Sequence, residues 1–178
     1  DVLREKLLST GKFEIMNQRV DEHEHSGEMQ YPFIAKILMS VSPKEQIKVL
    51  PIMVGSIRAS KEESYGKLIA SYLADESVFT VVSSDFCHYG SRFSFTPKPT
   101  PSEASEHGIN ELFEYIEYLD RKGMDLIELQ RPGAFADYFR QYSNTICWRH
   151  PIAGWLNCVV ANKENGVDEL DFRFVRYA

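Results

Sequence analysis

An aspartate and a histidine three residues apart, Asp85 and His88, follow the apolar segment 78–82. The β-branched and aromatic residues of that segment favour a buried strand. A turn after the strand would bring the carboxylate and the imidazole to one concave site, with His88 the more accessible. Such a pair can do acid/base chemistry, because the carboxylate fixes the tautomer of the ring, and both groups can also ligate a metal. The alternative is a capping role for Asp85 and a polar loop position for His88.

A cysteine in a second polar stretch, Cys147, is the other candidate for chemistry. It precedes Arg149, His150 and the start of a predicted helix, and this positive surrounding favours a thiolate that acts as a nucleophile or a soft metal ligand. The alternative is a buried structural thiol. We expect Cys87 to point away from the site and Cys158 to be a small core residue.

The elements that would position these residues alternate between helices and strands. Helical spacing of apolar residues predicts helices over residues 26–39, 61–73, 102–122, 132–142 and 151–160. Strands of one sheet are predicted at 47–54, 78–84 and 170–176, the second buried on both faces because its residues do not alternate. The 178 residues therefore predict a single α/β domain, residues 1–178.

Composition excludes several classes of protein. Hydrophobic residues make up 43% and charged residues 26% of the chain, which is typical of a globular domain. The net charge of −6 and the lack of a Lys/Arg cluster disfavour nucleic acid as a partner. No apolar run predicts membrane insertion. Three cysteines without paired spacing indicate a reducing compartment. The chain starts at Asp1 inside a predicted helix, so we expect an N-terminally incomplete sequence.

Three motifs together resemble the Memo family, mediators of receptor-driven cell motility. They are Glu-His-Ser-Gly-Glu-Met-Gln-Tyr-Pro at 24–32, Val-Ser-Ser-Asp-Phe-Cys-His-Tyr-Gly at 82–90 and Asn-Thr-Ile-Cys-Trp-Arg-His-Pro-Ile at 144–152. The resemblance covers essentially all 178 residues. It implies a longer family member, of which the N-terminal part and the C-terminal tail are expected to be missing here.

The resemblance implies the fold of class III extradiol ring-cleaving dioxygenases, a mixed central sheet flanked by helices. It places Asp85 and His88 at acid/base positions and Cys147 at a metal-binding position, with iron or copper as the metal. Two further histidine ligands would come from the family's N-terminal part. A phosphopeptide or substrate pocket would combine His88, Cys147, Arg149 and His25. For His25, which precedes the predicted helix start at Ser26, the alternative is a local hydrogen bond. Because Cys147 replaces a carboxylate ligand, ring cleavage is disfavoured.

Two functions from different classes follow from the resemblance. One is a metal-binding signalling adaptor in cell motility and cytoskeletal control, with a phosphotyrosine-containing receptor or adaptor peptide as its partner. Arg149 and a protonated His88 would serve such a pocket. The alternative is a metal-dependent oxidase or dioxygenase-type redox enzyme. The expected location is the cytoplasm, with the nucleus as a second location.

Overall fold

The structure is a computed structural model that describes residues 2–41, 47–147, 149–167 and 170–177. Internal contacts separate the chain into two compact units, Asp1–Val54 and Gly55–Ala178. No helix in the described part of the chain is long and apolar enough to cross a membrane.

The first unit contains three helices: α1 (Val2–Ser9), α2 (Gln18–Asp21) and α3 (Ser26–Val41). The Glu24 carboxylate accepts hydrogen bonds from the backbone N–H groups of Ser26 and Gly27, at 2.7 and 2.9 Å. These N–H groups have no partner within a helix, so Glu24 caps α3 and confirms that it begins at Ser26. The helical spacing of Met29, Phe33 and Ile37 predicts a buried inner face for this helix, but no residue of α3 is buried and Phe33 is exposed.

The second unit contains α4 (Ala59–Leu73), a short 3₁₀ turn (Ser91–Phe93), α5 (Pro101–His107), α6 (Leu112–Glu128), α7 (Pro132–Tyr142) and α8 (Arg149–Glu164). The single helix predicted over 102–122 is two helices. Gly108 takes a left-handed conformation with φ of 65° and ends α5. Gly123 does not end α6, because it lies inside that helix within contact distance of Tyr138 and Ile146.

The main core of this unit forms where α6, α7 and α8 meet. Phe135 of α7 and Leu156 of α8 are essentially inaccessible to solvent. Their buried neighbours come from α6, α7, α8 and the connection before α8: Ile127, Tyr138, Ile146, Ile152 and Ala153. A second contact joins α4 to α8 through small residues, among them Ala70, Cys158 and Ala161.

The α/β fold with a mixed central sheet, and with it the dioxygenase-like architecture, is wrong for the described residues. The segments 47–54, 78–84 and 170–176 carry no regular secondary structure, and the only strand-like pairing in the described part is an isolated bridge between Gly90 and Phe95. Val81, predicted to be buried, is 45% exposed. Strand-favouring side chains make a strand only when a neighbouring segment completes the hydrogen-bond ladder, and the described residues supply no such neighbour.

Candidate functional site

Residues 84–88 lie against residues 145–147, and we call this contact the junction. The backbone N–H of Cys147 donates to the carbonyl of Asp85 at 2.9 Å. The Ser84 hydroxyl donates to the carbonyl of Cys147. These two bonds connect the predicted acid/base segment with the predicted metal-ligand segment, although they are far apart in sequence.

Thr145 and His88 form the centre of the junction through three hydrogen bonds. The His88 N–H donates to the Thr145 hydroxyl at 2.9 Å, and that hydroxyl donates to the His88 carbonyl at 2.7 Å. His88 Nδ1 lies 3.1 Å from the Thr145 carbonyl. A carbonyl only accepts, so this contact requires a proton on Nδ1, and in the neutral ring Nε2 then keeps its lone pair. The junction therefore selects the tautomer in which Nε2 can accept a proton or bind a metal.

Asp85 lies beside that nitrogen. Its Oδ2 is 3.9 Å from His88 Nε2, which brings the two side chains together as the spacing predicted. The order of exposure is the reverse of the prediction, since the Asp85 side chain is 80% exposed and that of His88 only 27%. The reason is that Thr145 and the Phe93 ring, whose centroid is 5.0 Å from that of the imidazole, cover His88. The acid/base roles of Asp85 and His88 stay predictions.

The three cysteines differ in their surroundings. Burial and the nearby carboxylate of Asp120 raise the pKa of Cys87 to about 11. Burial raises the pKa of Cys158 to about 12. Both therefore stay protonated at neutral pH, which for Cys158 agrees with the predicted core position. Cys147 is only partly buried and lies in the junction itself.

The two basic residues that follow Cys147 point to different partners. The Arg149 guanidinium lies over the Phe139 ring at 4.9 Å from its centroid, and Arg149 is exposed. His150 turns to α4, where its Nδ1 is 2.6 Å from Oε1 of Glu62. Both members of this pair are largely buried, so the contact fixes the start of α8 against α4. His25 is exposed in the other unit, before α3, and its part in the pocket stays a prediction.

The donor types at the junction, a thiol and an imidazole with a free Nε2, suit a soft or borderline metal such as copper. Their number is too small for a closed site: among the described residues no three His, Cys, Asp or Glu side chains are grouped closely enough to hold a metal ion. A metal site at the junction, as predicted, would therefore need further donors besides the described residues.

Sequence reasoning assigned no role to three residues that hold the junction in place: Thr145, Asp120 and Asn144. Asp120 carried a signal, because it is an acidic residue beside Leu119 on the inner face of α6, and it is 2% exposed. A charged residue in such a position is rare unless it has partners. Thr145 lies inside one of the quoted motifs, but its contact with His88 depends on a fold that local patterns do not reveal.

Comparisons with known proteins agree with this reading of the motifs. A family model described as "Memo-like protein" matches residues 1–178. The chain is 42% identical over 172 residues to "Protein MEMO1" of Danio rerio and 42% identical over 173 residues to that of Homo sapiens. These matches cover 97% of this chain and 54% and 55% of the relatives.

A more distant relative is "Protein memo-1 homolog" of Caenorhabditis elegans, 38% identical over 175 residues, with 98% of this chain and 47% of the relative covered. The chain belongs to the Memo family. It spans about half the length of the curated relatives it matches.

Proposed function

We propose that this chain contributes a ligand-binding pocket at the junction to a metal-binding signalling adaptor of the Memo family. The observation that supports the proposal is the joining of the His88 and Cys147 segments by the hydrogen bonds of Asp85 and Thr145. The imidazole of His88, whose Nε2 lies 3.9 Å from Asp85 Oδ2, and the partly buried thiol of Cys147 thus belong to backbone segments in direct contact.

The chain's own residues would act as follows. Thr145 holds the His88 ring in the tautomer in which the Nε2 lone pair can bind a metal. Cys147 supplies a soft sulfur ligand. Asp85 lies beside this nitrogen, with Oδ2 at 3.9 Å from His88 Nε2, and its side chain is largely exposed to solvent. Iron or copper is the expected metal, and the thiol–imidazole combination favours Cu(I). When bound, copper would supply one-electron redox chemistry.

The metal part of the proposal is tested by titrating the 178-residue chain with Cu(I) in competition with a chromophoric chelator. We expect Cys147→Ser to lower the affinity of the chain for Cu(I) by about ten- to a hundredfold, the loss typical of disturbed ligation. Cys158→Ala is the matched control, since this buried thiol lies in the contact between α4 and α8. Equal retention by the native chain and Cys147→Ser would refute the ligand role of Cys147.

The adaptor part concerns a phosphotyrosine-containing peptide. Arg149 is the cation nearest in sequence to Cys147 and is exposed, and guanidinium groups bind phosphate in a bidentate manner. In a fluorescence polarisation assay, Arg149→Gln should weaken binding of a phosphotyrosine peptide, whereas Arg140→Gln should not. Arg140 is the control because it is exposed on α7 and pairs with Asp137. Peptide binding that is insensitive to both changes would remove Arg149 from the pocket.

The metal-dependent oxidase or dioxygenase-type activity stays a prediction, as do the cytoplasmic and nuclear locations.

A further inference from the structure

Beneath the junction lies a buried polar cluster that the proposed function does not use. It is centred on Asp120 of α6 and includes Asn144, Tyr138 and Tyr177. We propose that Asp120 is a positioning residue: it sets the distance between the two halves of the junction and so controls ligand binding there. The inference rests on the proposed function for the ligand, and on this cluster for the positioning.

The Asp120 carboxylate collects three sequence-distant segments. Its two oxygens accept the backbone N–H of Cys87 at 3.3 and 3.4 Å. Its Oδ1 accepts from Asn144 Nδ2 at 2.9 Å, and its Oδ2 accepts from the Tyr177 hydroxyl at 3.1 Å. All three donors are neutral, and Asp120 is 2% exposed. A buried carboxylate needs such donors, because without them its desolvation would be far more costly.

The positions of the donors explain why the cluster positions the site. Cys87 immediately precedes His88, and Asn144 immediately precedes Thr145. One carboxylate therefore anchors the residue before each half of the contact between His88 and Thr145. If that carboxylate is changed, the hydrogen bonds that hold Cys87 and Asn144 on the same side chain are lost. The two segments can then shift relative to each other, which weakens the hydrogen bonds that fix the His88 ring.

The orientation of Asn144 supports a role beyond stability. Its Nδ2 donates to Asp120 and also to the Tyr138 hydroxyl at 2.7 Å, while that hydroxyl donates to the Leu119 carbonyl at 2.8 Å. Both amide hydrogens are thus assigned, and Asn144 Oδ1 is buried with no hydrogen-bond partner. An orphaned buried acceptor is destabilising. The flipped amide would put Oδ1 against the Asp120 carboxylate, two acceptors in contact, so Asp120 fixes the direction in which Asn144 points even though Oδ1 stays without a partner.

The test uses Asp120→Asn in the full 178-residue chain, with Cu(I) affinity as the readout. Asp125→Asn is the matched control, because Asp125 is an exposed aspartate on the same helix. We expect Asp120→Asn to weaken Cu(I) binding about ten- to a hundredfold, as for other residues that orient a ligand, and Asp125→Asn to leave it unchanged. All affinities are measured where unfolding curves show each variant fully folded, so that lost stability alone does not alter them.

A reciprocal exchange distinguishes positioning from bulk structure. In Asp120→Asn combined with Asn144→Asp, the amide and the carboxylate trade places and can again hydrogen-bond, so we expect most of the affinity to return. Should Asp120→Asn fail to fold, Tyr177→Phe provides a milder perturbation. It removes one donor from the carboxylate and should weaken Cu(I) binding roughly threefold, the effect of one hydrogen bond.

The outcomes separate this inference from the proposed function. Native-like Cu(I) affinity in folded Asp120→Asn, or in Tyr177→Phe if the first variant does not fold, overturns the positioning role and leaves the metal site standing. A native chain that does not bind Cu(I) overturns the metal site. In that case the NMR resonances of the His88 and Cys147 backbone amides test the positioning role of Asp120. Both should shift in Asp120→Asn but not in Asp125→Asn. Unchanged resonances in Asp120→Asn would overturn the positioning role.

Discussion

The contact between α4 and α8 depends on the absence of a side chain at Gly66. A Cβ atom built there would lie 2.6 Å from Cβ of Asn157, 2.7 Å from the carbonyl oxygen of Gly154 and 2.8 Å from the backbone nitrogen of Cys158. Two of these three atoms belong to the α8 backbone and cannot rotate away. Since non-bonded carbon atoms pack at about 3.5 to 4.0 Å, Gly66→Ala would force the helices apart by roughly 1 Å.

The expected cost follows from two opposing effects. Overpacking of this kind destabilises by about 1 to 3 kcal/mol, and Ala gains about 1 kcal/mol over Gly in a helix interior. The separation also weakens the packing of Ala70 against Cys158 and Ala161, which moves the cost towards its upper end. We expect Gly66→Ala to lower the free energy of unfolding by about 2 kcal/mol, or the Tm by roughly 4 to 8 °C for a chain of this length.

Gly154→Ala is the matched control for this prediction. Gly154 lies in α8 opposite Gly66, yet a Cβ atom on Gly154 would meet nothing within 4 Å. The same substitution should therefore raise the free energy of unfolding by about 0.5 to 1 kcal/mol through helix propensity alone. Urea unfolding followed by circular dichroism gives both values. If Gly66→Ala is neutral or stabilising, like Gly154→Ala, the close approach of the two helices is refuted.

Two further predictions concern buried charges. Burial raises the pKa of Asp120 above that of an aspartate in the unfolded chain, so the folded state binds the proton more tightly and the free energy of unfolding should fall as pH rises from the unfolded to the folded pKa. Asp120→Asn should remove this fall, and urea unfolding over a pH series checks it; an unchanged slope would contradict the assignment. For the buried pair between α4 and α8, Glu62→Ala should cost about 2 to 4 kcal/mol because it leaves His150 without its acceptor, whereas Glu62→Gln keeps an acceptor oxygen and should cost about 1 kcal/mol. Equal unfolding free energies for the two variants would show that the pair is not formed.

Helices were predictable from the sequence where local signals agree. The predicted helix 132–142 has the observed bounds, and those at 26–39, 61–73 and 151–160 differ by a few residues at their ends. Periodicity and caps act within one or two turns, so the chain itself contains that information. The pairing of strands depends on segments far apart in the chain, and local patterns contain no information about it. For that reason the strand-like composition of 78–84 led to a wrong fold class.

For the candidate site too, local spacing predicted some contacts, whereas others depend on the fold. The spacing of Asp85 and His88 predicted that their side chains would meet, because three residues of separation leave few alternatives. Placing Cys147 beside them required the family resemblance, since nothing local in its stretch refers to residue 85. Thr145, Asn144 and Asp120 gave weaker signals still: their function in the fold is to hold another residue, and it becomes visible only when both partners are seen.

The hydrogen bonds between His88 and Thr145 join residues 57 apart in the chain, which has a consequence for the order of folding. Closing a loop of that length costs about 2 kcal/mol more in chain entropy than closing a four-residue helical turn. We therefore expect the helices to form and pack before the junction does. Substitutions at Thr145 should then change the unfolding rate more than the folding rate. In local opening of the native state the junction should separate before the helices do. The Cys147 amide should therefore exchange its hydrogen with solvent faster than the amides in the middle of α8. We therefore expect the proposed ligand thiol of Cys147 to lie in a part of the molecule that opens before the protein unfolds.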